Sequence, residues 1–159
     1  MEKEFTHFDQ EGNAIMVDIS KKYITPRVAI ATGQIKVSQE IMDAVVGGKG
    51  KKGDVLGVAR IAGIMAVKQT AMLIPLCHTI LISNCSVDFE LDVKKCVITA
   101  NCAVRTDGKT GVEMEAMTGV SVSLLTIYDM CKAIDKRMVL SAIHLVKKTG
   151  GKSGEFNFD

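Results

Sequence analysis

His78 sits in the run 74–79, IPLCHT, just beyond a proline that disfavours helix at the residue before it. A loop histidine between Cys77 and Thr79 is poor core filler, because loops run over the surface, and an imidazole is the commonest acid–base group. Glu113 and Glu115, in TGVEMEAMT at 110–118, stand at the start of a predicted helix, where acids complement the helix dipole. Asp129 and Lys132 lie three residues apart and so share one helical face. An exposed ion pair is the usual result of that spacing. Leu124, Leu125, Ile127, Met130 and Ala133 around it open the alternative of a partly buried pair, a costlier arrangement better suited to chemistry. His144 falls within the alternation of the last strand and His7 within an N-terminal arm, so both read as structural or solvated.

Lysines recur at loops and element ends: Lys49, Lys51 and Lys52, then Lys109, then Lys147, Lys148 and Lys152. Such runs are ordinarily solvated faces. Converging from several loops, they suit a polyphosphate, whose charge ammonium groups balance. RNA is the other polyanion to weigh, and the strands carry no RNP-like aromatic run, so no nucleic-acid partner is expected. Two stretches imitate a phosphate loop. AVRTDGKT at 103–110 needs Ala103 in place of the first glycine and follows a strand of an antiparallel hairpin, and the GGKS of the tail is followed by no helix. Neither makes a nucleotide-hydrolysing P-loop. The five cysteines show no CxxC and no paired ligand spacing, so neither a transition metal nor another cofactor is expected. Cys85, Cys96 and Cys102 sit in strand-like segments and read as small buried hydrophobes.

The elements that must position these groups are legible in outline. Residues 1–13 read as a polar, flexible arm, and an extended apolar piece follows at 14–19. A strand is predicted at 27–37, and Ser38 caps a short helix ending at Gly47 and Gly48. After the basic loop GGKGKKGD, Asp54 is the N-cap of a long, largely buried helix to about Leu73. Its Ala59, Ala62, Gly63 and Ala66 allow close backbone approach. Strict alternation at 85–92, a turn at Lys94 and Lys95, and a second alternating run at 96–105 make a hairpin with one wet face. A helix at 113–134 and a strand at 138–147 complete the order β-α-β-β-α-β. That order is an α+β, ferredoxin-like plan, an antiparallel sheet with both long helices packed on one face.

A chain of 159 residues with 47% hydrophobic and 24% charged residues fits one globular domain, residues 1–159. The net charge of +2 says little about partners. The first residues have no apolar h-region, and the apolar stretch 61–67 is too short to span a bilayer, so a soluble protein without a membrane partner is expected. An odd cysteine count without a framework fits a reducing cytosol.

Several blocks together resemble one family. MVDIS at 16–20, KGDVLGVARIAGIMAVKQT at 52–70, IPLCHT at 74–79, RTDGKTGVEMEAMT at 105–118, LTIYDMCKA at 125–133 and the tail TGGKSGEF are similar to the cyclic pyranopterin monophosphate synthases of molybdenum cofactor biosynthesis. The resemblance covers about residues 5–158 in order. It implies a ferredoxin-like subunit in a homo-hexamer, a trimer of dimers with each active site between two chains. It implies a cytoplasmic lyase that converts 3′,8-cyclo-7,8-dihydro-GTP to cyclic pyranopterin monophosphate and pyrophosphate. Catalytic roles then fall on Lys52, His78, Asp129 and Lys132, and substrate contacts on Arg27, Leu76, Cys77, His78, Glu113, Met114, Glu115 and Lys148. Lys52, Arg27 and Lys148 suit the phosphates, and Glu113 or Glu115 can accept from guanine-derived amino groups. Thr79 stands where the family usually has proline. The competing expectation is a non-catalytic ferredoxin-like module that binds or senses a nucleotide.

Overall fold

Apolar residues at every second position build the centre of the sheet. In the computed structural model, which describes residues 5–48 and 53–158, β1 (Thr25–Lys36) turns Ala29, Ala31 and Ile35 into the core. Chain order continues with α1 (Gln39–Gly47), α2 (Val55–Lys68), α3 (Thr70–Leu73), β2 (Asn84–Asp92) and β3 (Val97–Gly108). It ends with α4 (Glu113–Cys131), β4 (Val139–Thr149) and the short β5 (Phe156–Asn157). The sheet has the order β2-β3-β1-β4-β5 and is antiparallel throughout. The α+β, ferredoxin-like plan read from sequence is the one the chain adopts, with β5 added along the β4 edge.

The sheet presents small residues to the helices, among them Ala29, Ala31, Ala100 and Cys102, so α4 lies close and fills the space with Val120, Leu124 and Ile127. Each fully buried Leu or Ile contributes about 2 kcal/mol before entropy is counted. The helices approach each other through Gly63. A Cβ on it would press against the Ser123 hydroxyl and lie 2.9 Å from the Gly119 carbonyl oxygen. Gly63 therefore faces Gly119 and Ser123, while Val67 of α2 meets Gly119. The two helices run antiparallel, so the start of α2 borders the end of α4.

The long helix expected at 54–73 is two pieces. α2 stops at Lys68, where the Gln69 amide bonds the Ala66 carbonyl oxygen instead of the one four residues back, and α3 resumes for a single turn. The buried Thr70 hydroxyl also donates to the Ala66 carbonyl, tightening the junction. Nor is α2 largely buried: Val58, Ile61 and Met65 form an exposed apolar stripe opposite the face packed on α4. The final helix ends at Cys131 rather than near 134, with amide contacts from Ile134 and Asp135 back to the Cys131 carbonyl.

Within the polar arm, residues 5–15 make a tight hairpin. Asp9 accepts from the amides of Glu11 and Asn13 at 2.9 and 2.8 Å, and the Ile15 amide donates to the His7 carbonyl at 2.9 Å. A strap over residues 16–24 then leads to β1. Its turn is fixed by the Ser20 amide donating to Asp18 at 2.8 Å and by Lys109 donating to the Ser20 carbonyl at 2.8 Å.

Candidate active site

Pro75 closes α3, and a turn from the Cys77 amide to the Ile74 carbonyl aims Leu76, Cys77 and His78 at the start of α4. The first turn of α4 has no side-chain cap, and Glu113 and Glu115 occupy it. Between loop and helix lies a cavity of about 320 Å3, walled by Leu76, Cys77, His78, Glu113, Met114 and Glu115. The arm closes its remaining side through Thr6 and His7. His78 Nε2 donates to the Val17 carbonyl at 2.7 Å, which ties loop to strap and leaves Nδ1 outside that bond.

Beside it opens a second cavity of about 890 Å3, cationic in character, lined by Lys21, Lys22, Arg27, Lys148 and Lys152. Lys148 Nζ is held between Glu113 Oε1 and Ser153 Oγ, each at 3.0 Å. Arg27 Nε donates to the Gly108 carbonyl at 3.3 Å. Its guanidinium covers Gly151, where φ is +78° and any Cβ would overlap it, so the tail loop needs glycine there. The cavities meet at a shared wall of Lys22, Thr110, Gly111 and Glu113.

Electrostatics divides the two cavities. Glu115 is only 4% exposed, and burial pushes its carboxyl up to about 7, its own backbone amide opposing and Glu113 adding to the rise. A carboxyl poised there exchanges a proton near neutral pH. Burial and the nearby Glu115 raise the Cys77 thiol, which keeps it protonated and unreactive. Among the described residues no cluster of three or more His, Cys, Asp or Glu side chains could hold a metal ion.

The structure thus gathers Arg27, Leu76, Cys77, His78, Glu113, Met114, Glu115 and Lys148 around one pair of cavities. Asp129 and Lys132 are elsewhere. They form an ion pair at 2.6 Å near the far end of α4, with side chains 71% and 52% exposed. The partly buried alternative is therefore corrected: the apolar neighbours Leu125 and Met130 are themselves exposed, and among the described residues no element covers the pair. Asp129 holds the Lys132 ammonium above its usual range. Lys52 lies outside the described residues; its chain neighbours Gly53 and Asp54 lead into the start of α2, the end of the helix pair that carries Asp129.

Sequence reasoning passed over Thr6, His7, Asp18, Lys21, Lys22 and Ser153, all of which line the cavities. The signal for some was present: Lys21 and Lys22 directly follow MVDIS, and Ser153 lies in the tail block. Only the hairpin and strap bring His7 and Lys22 beside residues 70 or more positions away.

Known proteins resemble the chain over nearly its whole length. A chain named cyclic pyranopterin monophosphate synthase from Clostridium perfringens (strain 13 / Type A) is 60% identical over 158 residues, covering 99% of this chain and 100% of that one. One of the same name from Clostridium botulinum (strain Alaska E43 / Type E3) is 60% identical over 98% of each. Another from Clostridium acetobutylicum is 53% identical over 98% of this chain and 97% of its own. The pattern of the MoaC family matches residues 16–151, a span that contains both cavities' walls apart from the arm and the last tail residues, together with the Asp129–Lys132 pair. With family pattern and full-length identity agreeing, the chain belongs to the MoaC family.

Proposed function

We propose that the protein is a cyclic pyranopterin monophosphate synthase, a lyase of molybdenum cofactor biosynthesis that converts 3′,8-cyclo-7,8-dihydro-GTP to cyclic pyranopterin monophosphate and releases pyrophosphate. The observation that carries this reading is the pair of joined cavities, one acidic and one basic, in a chain 60% identical to relatives of that name. The purine-derived rings fit the smaller cavity, where Glu113 and Glu115 accept from their amino groups and His78 and Glu115 carry protons as rings open and reclose. The phosphates fit the larger one, where Arg27 and Lys148 neutralise their charge. Leu76, Cys77 and Met114 supply the apolar and weakly polar wall.

The working enzyme is an oligomer whose site is shared between chains, and a hexamer built as a trimer of dimers suits it. Asp129 and Lys132 are catalytic, as is Lys52, yet the described pair stands about 24 Å from Glu113 along α4, at a rise of 1.5 Å per residue. A second chain must bring its Asp129–Lys132 end to the cavities of the first. The exposed stripe of Val58, Ile61 and Met65, beside that end, offers apolar surface for the contact. The whole chain acts as a single domain in the cytoplasm, where its free cysteines stay reduced.

Incubation with 3′,8-cyclo-7,8-dihydro-GTP tests the function. A synthase releases pyrophosphate with multiple turnovers, whereas a nucleotide-binding module of the same fold retains the compound intact. Binding without release would refute the proposal.

A further inference from the structure

We infer that Lys22 is a catalytic residue whose ammonium stands at the α-phosphate and balances the charge that builds there as pyrophosphate departs. This rests on the synthase reading above. The two cavities share four wall residues, Lys22, Thr110, Gly111 and Glu113. A nucleotide derivative laid across them puts its donor-rich rings among carboxylates and its terminal phosphates among cations. The α-phosphate is covalently between the two, so it falls at the shared wall. Lys22 is the one cation of that wall.

Three neighbouring cations are already committed, and the uncommitted Lys21 and Lys152 line the basic cavity alone. Lys148 is held by Glu113 and Ser153, Arg27 Nε by the Gly108 carbonyl, and Lys109 by the Ser20 carbonyl. The Lys22 ammonium makes no hydrogen bond or ion pair with the described residues. Its backbone is nevertheless fixed. The Lys22 amide donates to the Ile19 carbonyl at 3.0 Å, inside the turn that Asp18 and Lys109 brace. A fixed main chain keeps this uncommitted ammonium at the shared wall, where charge develops on the α-phosphate as pyrophosphate leaves.

In the step, the ribose-derived hydroxyl oxygen bonds to the α-phosphorus and the bond from that phosphorus to the oxygen bridging to the β-phosphate breaks. The bridging oxygen keeps the electron pair and leaves within pyrophosphate. Glu113, the carboxylate of the shared wall, receives the hydroxyl proton. Lys22 faces the non-bridging oxygens of the α-phosphate while this happens, and the basic cavity retains the departing pyrophosphate.

The test compares Lys22→Ala, Lys22→Met and Lys22→Arg with Lys21→Ala, since Lys21 lines the basic cavity alone. Pyrophosphate release from 3′,8-cyclo-7,8-dihydro-GTP gives kcat, and inorganic pyrophosphate as competitor gives an inhibition constant. Lys22→Ala and Lys22→Met should lose about 100-fold in kcat, and Lys22→Arg should retain more. Their pyrophosphate inhibition constants should change by less than about 3-fold, while Lys21→Ala weakens inhibition more than it lowers kcat. Parent-like kcat in Lys22→Met overturns the inference and leaves the synthase reading intact. So does a loss that falls equally on kcat and pyrophosphate binding, since Lys22 is then only basin charge. A parent protein that releases no pyrophosphate refutes the synthase reading itself, and the role of Lys22 with it.

Discussion

Glu113 and Asp129 stand near opposite ends of one helix, the first on the shared wall of two cavities and the second in an exposed ion pair with Lys132. Antiparallel packing of α2 on α4 places the start of α2, next to Lys52, at the Asp129 end. The cavity residues and the Asp129–Lys132 pair therefore lie at opposite ends of α4 in one chain.

That separation chooses the partners for a complementation test. Chains carrying Glu113→Gln and chains carrying Asp129→Ala, each inactive alone, should regain about a quarter of parental activity when refolded together at equal amounts, if each site draws one set from each of two neighbours. A mixture of Lys52→Ala with Asp129→Ala should stay inactive, because Gly53 and Asp54, which follow Lys52 in the chain, lead into the end of α2 that borders Asp129. Light scattering that finds a monomer, or a Glu113→Gln and Asp129→Ala mixture that never recovers, would sink the shared site.

Lys52 is tested directly by Lys52→Ala against Lys51→Ala. The first should lower turnover about 100-fold, as for loss of a charge-stabilising donor, and the second should be mild. Both should leave unfolding free energy within about 0.5 kcal/mol of the parent. Equal turnover in the two variants would make Lys52 ordinary loop charge.

Glu115 gives stability a defined pH dependence. Its folded carboxyl, near 7, binds a proton that the unfolded chain, near the ordinary value of 4.5, has released. The folded state thus holds more protons between those values, so its contribution to stability falls as pH rises from about 4.5 to 7 and is level above. Glu115→Gln should flatten this slope, by on the order of 1–3 kcal/mol between pH 5 and 7.5 in urea titrations. Identical slopes in parent and variant would show that Glu115 ionises without cost.

Gly63→Ala opposes two effects. Alanine favours the helix by about 1 kcal/mol over glycine, but its Cβ meets the Gly119 backbone, which cannot rotate away. Overpacking of this kind costs about 1–3 kcal/mol, so the variant should be less stable than the parent. Adding Ser123→Ala should recover only part of the loss, because the Gly119 carbonyl remains. Urea midpoints at constant slope decide it, and a more stable Gly63→Ala would show that the helices can part.

The sequence by itself determined the element types. Alternation at 85–92 and 96–105 marks two strands because side chains of a strand point to opposite faces in turn, and Asp54 and Ser38 mark helix starts because their oxygens accept bare amides, as both do here. Its local blocks also singled out His78, Glu113 and Glu115, and its run of lysines Lys148, all of which line the cavities. Tertiary structure decided the rest. The Lys68–Gln69 break depends on the buried Thr70 hydroxyl turning back to Ala66, a contact without a period to read. Lys22 of the strap and Lys148 of β4 border one cavity only in the folded chain, and a separation of over a hundred residues leaves no local pattern. For Asp129 and Lys132 the spacing left an exposed and a partly buried pair both open, since it says which residues share a helical face and not what, if anything, covers that face; the fold leaves the pair exposed.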